Sequence, residues 1–185
     1  RFIIIKLLGQ GTFGKVVQCF DKVKNEHVAI KIIRNIQKHR DAAKIELRVL
    51  STLKKFDPDN TNHCIHLREC FDYRGHICIV TDLLKISLYD FLENNKYIGF
   101  PGSQIQSIAK QLIRTVCFLH DLGIIHTDLK PENVLLKDDS YHKLKITSLT
   151  MTSAYLALKN DKRPVKFLKI LSLTDIYVID FGSSI

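Results

Sequence analysis

The sequence predicts an α+β fold made of two lobes, a sheet-rich lobe over residues 1–84 and a more helical lobe over residues 85–185. In the first lobe, apolar residues form short runs that glycine or polar turns separate, which is typical of strands. Beyond residue 84 they recur at helical spacing. With 45% hydrophobic and 25% charged residues, the 185-residue chain can bury a sizeable core.

The first lobe is predicted to hold an antiparallel sheet and one helix. Strands over residues 2–8, 15–21 and 27–34 are separated by a glycine turn and a polar turn, which favours a β-meander. A helix is predicted over residues 40–56 because four apolar residues lie near helical spacing, namely Ile45, Val49, Leu50 and Leu53. Two more strands, 64–73 and 76–84, meet at a tight turn and complete the sheet as a hairpin.

The second lobe is predicted to contain a long helix and an insertion. The helix covers residues 103–122, and its apolar stripe is expected to pack in the core: Ile105, Ile108, Ala109, Leu112, Ile113, Val116 and Leu119. Residues 137–173 form a long excursion with two β-like patches, 144–150 and 165–171. We expect this insertion to be a β-hairpin.

Charge and cysteine content narrow the classes of protein to which the chain could belong. Residues 137–169 hold eight Lys or Arg against three Asp, so much of the net charge of +9 belongs to one segment, which indicates a solvated surface more than a nucleic-acid site. The five cysteines show no C-x-x-C pair, which predicts free thiols in a reducing compartment. The apolar runs are too short to cross a bilayer, so no membrane partner is expected.

Four short motifs carry the chemistry. In chain order they are Gly9-Gln10-Gly11-Thr12-Phe13-Gly14-Lys15-Val16, Val28-Ala29-Ile30-Lys31, His126-Thr127-Asp128-Leu129-Lys130-Pro131-Glu132-Asn133 and Asp180-Phe181-Gly182. Glycines in the first motif let backbone N–H groups approach phosphate oxygens. Lys31 lies in an apolar strand, where an unpaired ammonium is costly, so an acidic partner is expected. Glu46 is the favoured partner and Asp41 the alternative.

Taken together, these motifs resemble the signatures of protein kinases. The resemblance implies a protein-kinase-like bilobal fold, with an antiparallel sheet and one helix in the N-lobe and a hairpin insertion in the helical C-lobe. The C-lobe is expected to be truncated, because the chain ends three residues after Gly182. Apolar faces such as that of Ile105 to Leu119 are then expected to lack partners and stay exposed. The resemblance also implies ATP and Mg²⁺ as cofactors and protein hydroxyl groups as substrates.

The resemblance assigns a role to each motif residue. Asp128 is expected to act as the catalytic base, and Lys130 to neutralise the transferred phosphoryl group. Lys31, held by Glu46, is expected to bind the α- and β-phosphates. Asn133 and Asp180 are the expected Mg²⁺ ligands. His126 is expected to pack beneath the Asp180-Phe181-Gly182 turn without a chemical role.

The resemblance also outlines a nucleotide pocket. Gly9, Gly11 and Gly14 are expected to cover the phosphates. The residues expected to sandwich the adenine ring are Val16, Ala29 and Leu135. Thr81 is the expected gatekeeper, and the hinge whose backbone reads the base is expected over Asp82 to Leu84.

Within the protein kinases, the sequence resembles the LAMMER, or cdc-like, kinases. The features are His126-Thr127-Asp128, the insertion and the stretch Ser87-Leu88-Tyr89-Asp90-Phe91-Leu92. SR-protein kinases, which insert elsewhere, are the second choice. The catalytic loop has the serine/threonine form, with dual specificity open. Thr127 replaces the usual arginine, so a switch through a phosphorylated activation loop is expected to be absent. LAMMER-like enzymes imply Arg/Ser-rich splicing factors as substrates and a nuclear or cytoplasmic location.

Two other hypotheses stay open at this point. The chain could be a catalytically inactive piece that binds a nucleotide or a partner. It could also be an RNA-associated protein, although only the basic insertion supports this. The sequence does not indicate an oligomeric state.

Overall fold

The computed structural model describes residues 1–145 and 167–185 of the chain. Its first lobe is a five-stranded antiparallel sheet in the order β1-β2-β3-β5-β4. The strands are β1 (Phe2–Gln10), β2 (Gly14–Asp21), β3 (Glu26–Ile33), β4 (Leu67–Tyr73) and β5 (His76–Asp82). The predicted meander and hairpin are therefore both present, although β4 begins three residues later than predicted.

Helix α1 (Gln37–Phe56) packs against the sheet. Its buried side chains lie three or four residues apart and form one stripe: Ala43, Glu46, Leu50 and Leu53. Ile45 was predicted to share this stripe, but its side chain is 46% exposed. Glu46 takes the buried position instead, where its carboxylate pairs with the ammonium group of Lys31 at 2.9 Å.

The second lobe contains helices α2 (Leu88–Asn94) and α3 (Gly102–Asp121) and a 3₁₀ turn, Pro131–Asn133. A short pair, β6 (Val134–Leu136) with β9 (Ile176–Val178), lies beside them. Ser87 begins α2 with a capping box, since its side chain accepts from the Asp90 backbone N–H and the Asp90 carboxylate accepts from the Ser87 backbone. None of the helices in the described ranges is long and apolar enough to span a membrane.

The insertion holds the predicted β-hairpin. Strand β7 (Tyr141–Lys145) pairs in antiparallel register with β8 (Phe167–Leu171). The parts of the predicted strands at 146–150 and 165–166 lie outside the described residues. Asn95 anchors the hairpin, since its side chain accepts from the Lys169 backbone N–H at 3.0 Å and donates to the Lys169 carbonyl at 3.2 Å.

One hydrophobic cluster connects the two lobes. Leu50 and Leu53 of α1 share it with Leu119 of α3 and with Val178 and Phe181 near the end of the chain. A fully buried aliphatic or aromatic side chain contributes roughly 1.5–3 kcal/mol to folding. This shared core holds α1, and with it the sheet on which α1 packs, in a fixed position relative to the second lobe. It therefore defines the cleft between the sheet and the second lobe.

The apolar stripe of α3 is only partly buried. Ile108 and Leu119 lie in the core, whereas Ile105 is 52% exposed and Ile113 is 64% exposed. The expectation that the whole stripe packs in the core was wrong for these two isoleucines, whereas the second expectation, that part of this face stays exposed, agrees with them. Helical spacing identifies an apolar face without showing which part of it a neighbouring element covers.

Candidate active site

A cleft of about 1070 Å³ separates the sheet from the second lobe. Most of the predicted site residues line it, namely Gly9, Gly11, Val16, Ala29, Lys31, Glu46, Thr81, Asp82, Leu84, Asn133, Leu135 and Asp180. A smaller cavity of about 260 Å³ adjoins it and is lined by Asp128 together with Lys31, Glu46 and Asp180. Gly14 and Lys130 line neither cavity. Gly14 follows Phe13, which lines both cavities, and Lys130 contacts Asp128, which lines the smaller one.

The sheet register places the cleft-facing residues of the first lobe. Side chains two residues apart on a strand point to the same face. Lys31 pairs with Val16 of β2, and Ala29 pairs with Thr81 of β5, so alternate residues of three strands face the second lobe together. This periodicity is the physical reason that residues far apart in sequence form one wall.

The glycine turn between β1 and β2 depends on close backbone approach. A Cβ atom at Gly14 would lie 2.0 Å from the Ile32 carbonyl oxygen, so this position requires glycine. The turn is closed by a hydrogen bond from the Gly11 N–H to the Gly14 carbonyl at 3.0 Å. The Phe13 ring folds beneath the turn, 4.4 Å from Lys31 Nζ.

Lys31 lies between two carboxylates. Its Nζ is 2.9 Å from both carboxylate oxygens of Glu46 and 3.0 Å from Asp180 Oδ1. Burial lowers the pKa of Lys31, but the negative charges of Glu46 and Asp180 outweigh burial, so the pKa is raised and the ammonium stays charged. Asp41, the alternative partner, instead contacts Lys44 at 3.0 Å and Gln37.

The catalytic loop brings three polar side chains together. Lys130 Nζ donates to Asp128 at 2.8 and 3.0 Å, and Asn133 Nδ2 donates to the Asp128 carbonyl at 2.9 Å and its carboxylate at 3.1 Å. The hydrogen bond from Lys130 lowers the pKa of Asp128, so the carboxylate is held in its ionised form. The 3₁₀ turn after Lys130 is what turns Asn133 back toward Asp128.

Asp180 lies two residues after the end of strand β9. The Ile179 N–H donates to the Asn133 carbonyl at 2.9 Å, which places Asp180 beside Asn133 at the cleft wall. The His126 ring lies 5.0 Å from the Phe181 ring, and its Nε2 is 2.9 Å from the Ile179 carbonyl oxygen. His126 thus packs against the Asp180-Phe181-Gly182 turn.

Asn133 and Asp180 suit a hard cation in their donor chemistry. The amide nitrogen of Asn133 is used by Asp128, which leaves its amide oxygen for another partner. Asp180 uses one carboxylate oxygen for Lys31, and within 1–145 and 167–185 the other accepts no hydrogen bond. No group of three or more His, Cys, Asp or Glu in those ranges could hold a metal alone. A cation here would therefore need further oxygen ligands, such as phosphate oxygens.

Sequence reasoning missed a contact behind the hinge. Arg68 of β4 forms ion pairs with Asp82 at the end of β5 and with Glu26 at the start of β3. The side chain of Asp82 is thus held by the sheet. No local pattern indicated this, because the three residues come from three different strands.

Comparison with known proteins agrees with this geometry. The family model described as "Protein kinase domain" matches residues 2–164. The chain is 52% identical over its full length to the dual specificity protein kinase KNS1 of Saccharomyces cerevisiae and 43% identical to the dual specificity protein kinase CLK2 of Homo sapiens. It covers 25% and 34% of those proteins, respectively, and thus spans about a third of their length or less.

The fold has a close counterpart among solved structures. A crystal structure of a kinase domain superposes with a TM-score of 0.85 at 30% identity, covering the whole of this chain and 51% of the other. The predicted kinase-like fold is confirmed by this likeness. From the family match, we conclude that the chain belongs to the protein kinase domain family, and within that family it is similar to kinases of the LAMMER, or cdc-like, type.

Proposed function

We propose that the protein transfers the γ-phosphoryl group of ATP to serine or threonine hydroxyl groups of other proteins, and to tyrosine where its specificity is dual. The observation that carries this proposal is the contact of Lys31 with both Glu46 and Asp180, because it joins α1 to the metal-binding turn. In the motifs that the chain contains, every position to which the resemblance assigns a catalytic role carries the residue expected there.

In this proposal, the chain's own residues bind, orient and accept a proton. Lys31 and the glycine turn would hold the phosphates, and Asn133 and Asp180 would hold Mg²⁺, which when bound would neutralise charge on the phosphates. The Asp128 carboxylate orients the substrate hydroxyl and takes its proton. The hydroxyl oxygen then forms a bond to the γ-phosphorus as the bond to the β–γ bridging oxygen breaks, and ADP leaves.

The cleft lining supports an adenine nucleotide. Val16 and Ala29 from the sheet and Leu135 from the second lobe supply apolar surfaces on its two walls. Thr81 is a small gatekeeper, so the space behind the ring is open to a larger group than a bulky aromatic residue would admit. The hinge backbone from Asp82 to Leu84 supplies the donors and acceptors for the base.

Splicing factors rich in Arg/Ser are the substrate class we propose, together with a nuclear or cytoplasmic location. The support is the similarity to LAMMER-type kinases such as KNS1 and CLK2, whose names record dual specificity. The chain's own net charge of +9 does not favour a cationic substrate, so an acidic docking surface would have to lie elsewhere in the protein.

The test is a transfer assay with radiolabelled ATP and an Arg/Ser-rich peptide. It uses the 185-residue chain and the full-length natural gene product, each as wild type and as Asp128→Asn. We expect transfer by the full-length wild type and a loss of at least about 100-fold in Asp128→Asn. Tight binding of Mg-ATP without transfer in every wild-type sample would instead support a nucleotide-binding module.

A further inference from the structure

Three consecutive residues, Ile125 and the first two residues of the catalytic loop, each form hydrogen bonds with the segment that contains Asp180. Ile125 and Ile185 exchange backbone hydrogen bonds at 2.8 and 3.1 Å. His126 contacts the Ile179 carbonyl, as described above. Thr127 Oγ1 donates to the Ser183 carbonyl at 2.9 Å and lies 3.2 Å from Ser183 Oγ. The Thr127 bond is the only one of these that a side-chain hydroxyl supplies.

Thr127 adopts a conformation that its residue type disfavours. Its φ is +64°, in the left-handed region, where a β-branched side chain is a genuine outlier. Asp180 is also left-handed, with φ of +65°. Such conformations persist where the surroundings determine them, and they cluster at functional sites. The hydroxyl bond to Ser183 is a specific interaction that holds the Thr127 side chain in this arrangement.

The position of Thr127 connects the two acidic residues of the site. Asp128 follows it directly in the chain, and Ser183 lies three residues after Asp180. Both aspartates line the same small cavity, and Ser183 lines it as well. The hydrogen bond between Thr127 and Ser183 therefore links the two chain segments whose aspartates line that cavity.

We propose that Thr127 is a positioning residue, which sets Asp180 relative to Asp128 through its hydroxyl bond to Ser183. This inference rests on the proposed function, because it assigns Asp180 to the metal and Asp128 to the substrate hydroxyl. The bond is neutral, and it is made with an unmodified serine. The alignment of the two aspartates thus needs neither a cation at position 127 nor a phosphate on the segment after Gly182.

The test compares matched threonine variants in the full-length protein. Thr127→Val removes the hydroxyl and keeps the β-branched shape, and Thr127→Ser keeps the hydroxyl. Thr52→Val is the control, because the Thr52 hydroxyl also donates to a backbone carbonyl at 2.9 Å, that of Arg48 on α1, outside the two cavities. Binding of a non-hydrolysable ATP analogue is titrated against Mg²⁺, and adenosine binding reports the hinge alone.

We expect Thr127→Val to raise the Mg²⁺ concentration for half-maximal analogue binding about fivefold, the range of one neutral hydrogen bond. Adenosine affinity should stay within about twofold of wild type. Thr127→Ser should restore the Mg²⁺ dependence, and Thr52→Val should leave it unchanged. A Mg²⁺ dependence of Thr127→Val equal to that of wild type would overturn the inference, as would an equal loss of adenosine binding, which indicates general destabilisation.

The result of the Thr127 test can be told apart from the result of the transfer assay that tests the proposed function. Analogue binding does not require transfer, so the positioning role can fail while Asp128→Asn still abolishes phosphorylation. Conversely, a protein without transfer activity whose Mg²⁺-dependent binding responds to Thr127→Val would retain the positioning role and lose the enzymatic one.

Discussion

At the scale of single residues, the charge balance around Lys31 organises the site. A lysine in an apolar strand predicts an acidic partner on physical grounds, and the structure supplies two, Glu46 and Asp180. The sequence could not decide between Glu46 and Asp41, because both lie on α1 within reach of the sheet. Burial decides it, since the side chain of Glu46 is 8% exposed and that of Asp41 is 54% exposed.

Removing the ammonium alone should destabilise the fold more than removing the pair. Lys31→Met leaves the Glu46 carboxylate buried beside Asp180 with no cation, and breaking a buried pair typically costs about 3–5 kcal/mol in the free energy of unfolding. Lys31→Met with Glu46→Gln removes the uncompensated charge and should recover most of that loss. Urea unfolding of both variants near neutral pH measures the difference.

A double variant no more stable than Lys31→Met would contradict this account of Lys31. It would mean that lost packing of the lysine stem, and not the unpaired charge, governs the stability of this wall. The single variant Glu46→Gln completes the cycle and gives the coupling energy between the two side chains.

At the scale of elements, local patterns located the strands and helices but not the contacts between them. The run at 64–73 reads as one strand, yet Ile65 donates its N–H to the Val178 carbonyl, and Val178 donates its own to the His63 carbonyl. These bonds draw the start of the run out of the sheet and toward β9. A partner more than a hundred residues away leaves no periodic signal in sequence.

The loop after α1 is held by a buried carboxylate. Asp57 accepts from the Thr61 N–H at 2.9 Å, the Thr61 hydroxyl at 3.0 Å and the Asn62 N–H at 2.8 Å. Asn62 in turn accepts at its carbonyl from the Thr115 hydroxyl of α3 at 2.8 Å, so this loop connects α1 to the second lobe. Burial raises the pKa of Asp57, but the hydrogen bonds outweigh it and the pKa is lowered.

Asp57→Asn should therefore destabilise the protein in a pH-dependent way. A lowered pKa in the folded state means that the ionised carboxylate contributes stability above the pKa of the unfolded chain, roughly pH 4, and that this is lost as pH falls through the folded pKa. Near neutral pH we expect a loss of about 1–3 kcal/mol, since the amide group of Asn turns a donor toward the donors it faces.

Urea unfolding at about pH 7 and at about pH 3 checks this expectation. The stability difference between wild type and Asp57→Asn should shrink at the lower pH, because the unfolded chain protonates Asp57 there and the advantage of the lowered folded pKa begins to be lost. A difference that stays constant or grows on acidification would show that the ionised carboxylate is not what stabilises the loop.

At the scale of the whole molecule, positive charge is concentrated in the insertion relative to the rest of the chain. The shared core and the cleft belong to the elements that pack together, while the hairpin is attached at its base by Asn95 and by burial of Leu171. Residues 144–168 carry five Lys or Arg and one Asp, so they supply four of the nine net positive charges. Composition alone gave the total charge, and the order of residues along the chain shows that nearly half of it belongs to this one segment.

Replacing residues 144–168 by Asn-Gly should reduce binding to polyanions and leave nucleotide binding intact. The replacement keeps the Lys143–Lys169 strand pair and the Asn95 contacts, and a two-residue Asn-Gly turn suits such a hairpin. Elution from heparin should shift to lower salt, because fewer cations contact the polymer. Lys22→Glu with Lys24→Glu, in the exposed β2–β3 turn, lowers the net charge by the same four units and is the matched control.

The comparison between the two variants decides where the polyanion contact lies. If the insertion forms it, the shortened hairpin elutes at lower salt than the turn variant, because local contacts outweigh total charge at physiological ionic strength. Equal shifts would show that only net charge matters. Unchanged retention of the shortened hairpin would place the basic contact elsewhere in the molecule. It would contradict the interpretation of the insertion as the basic surface, and it would leave the hypothesis of an RNA-associated protein without the one segment whose sequence supported it.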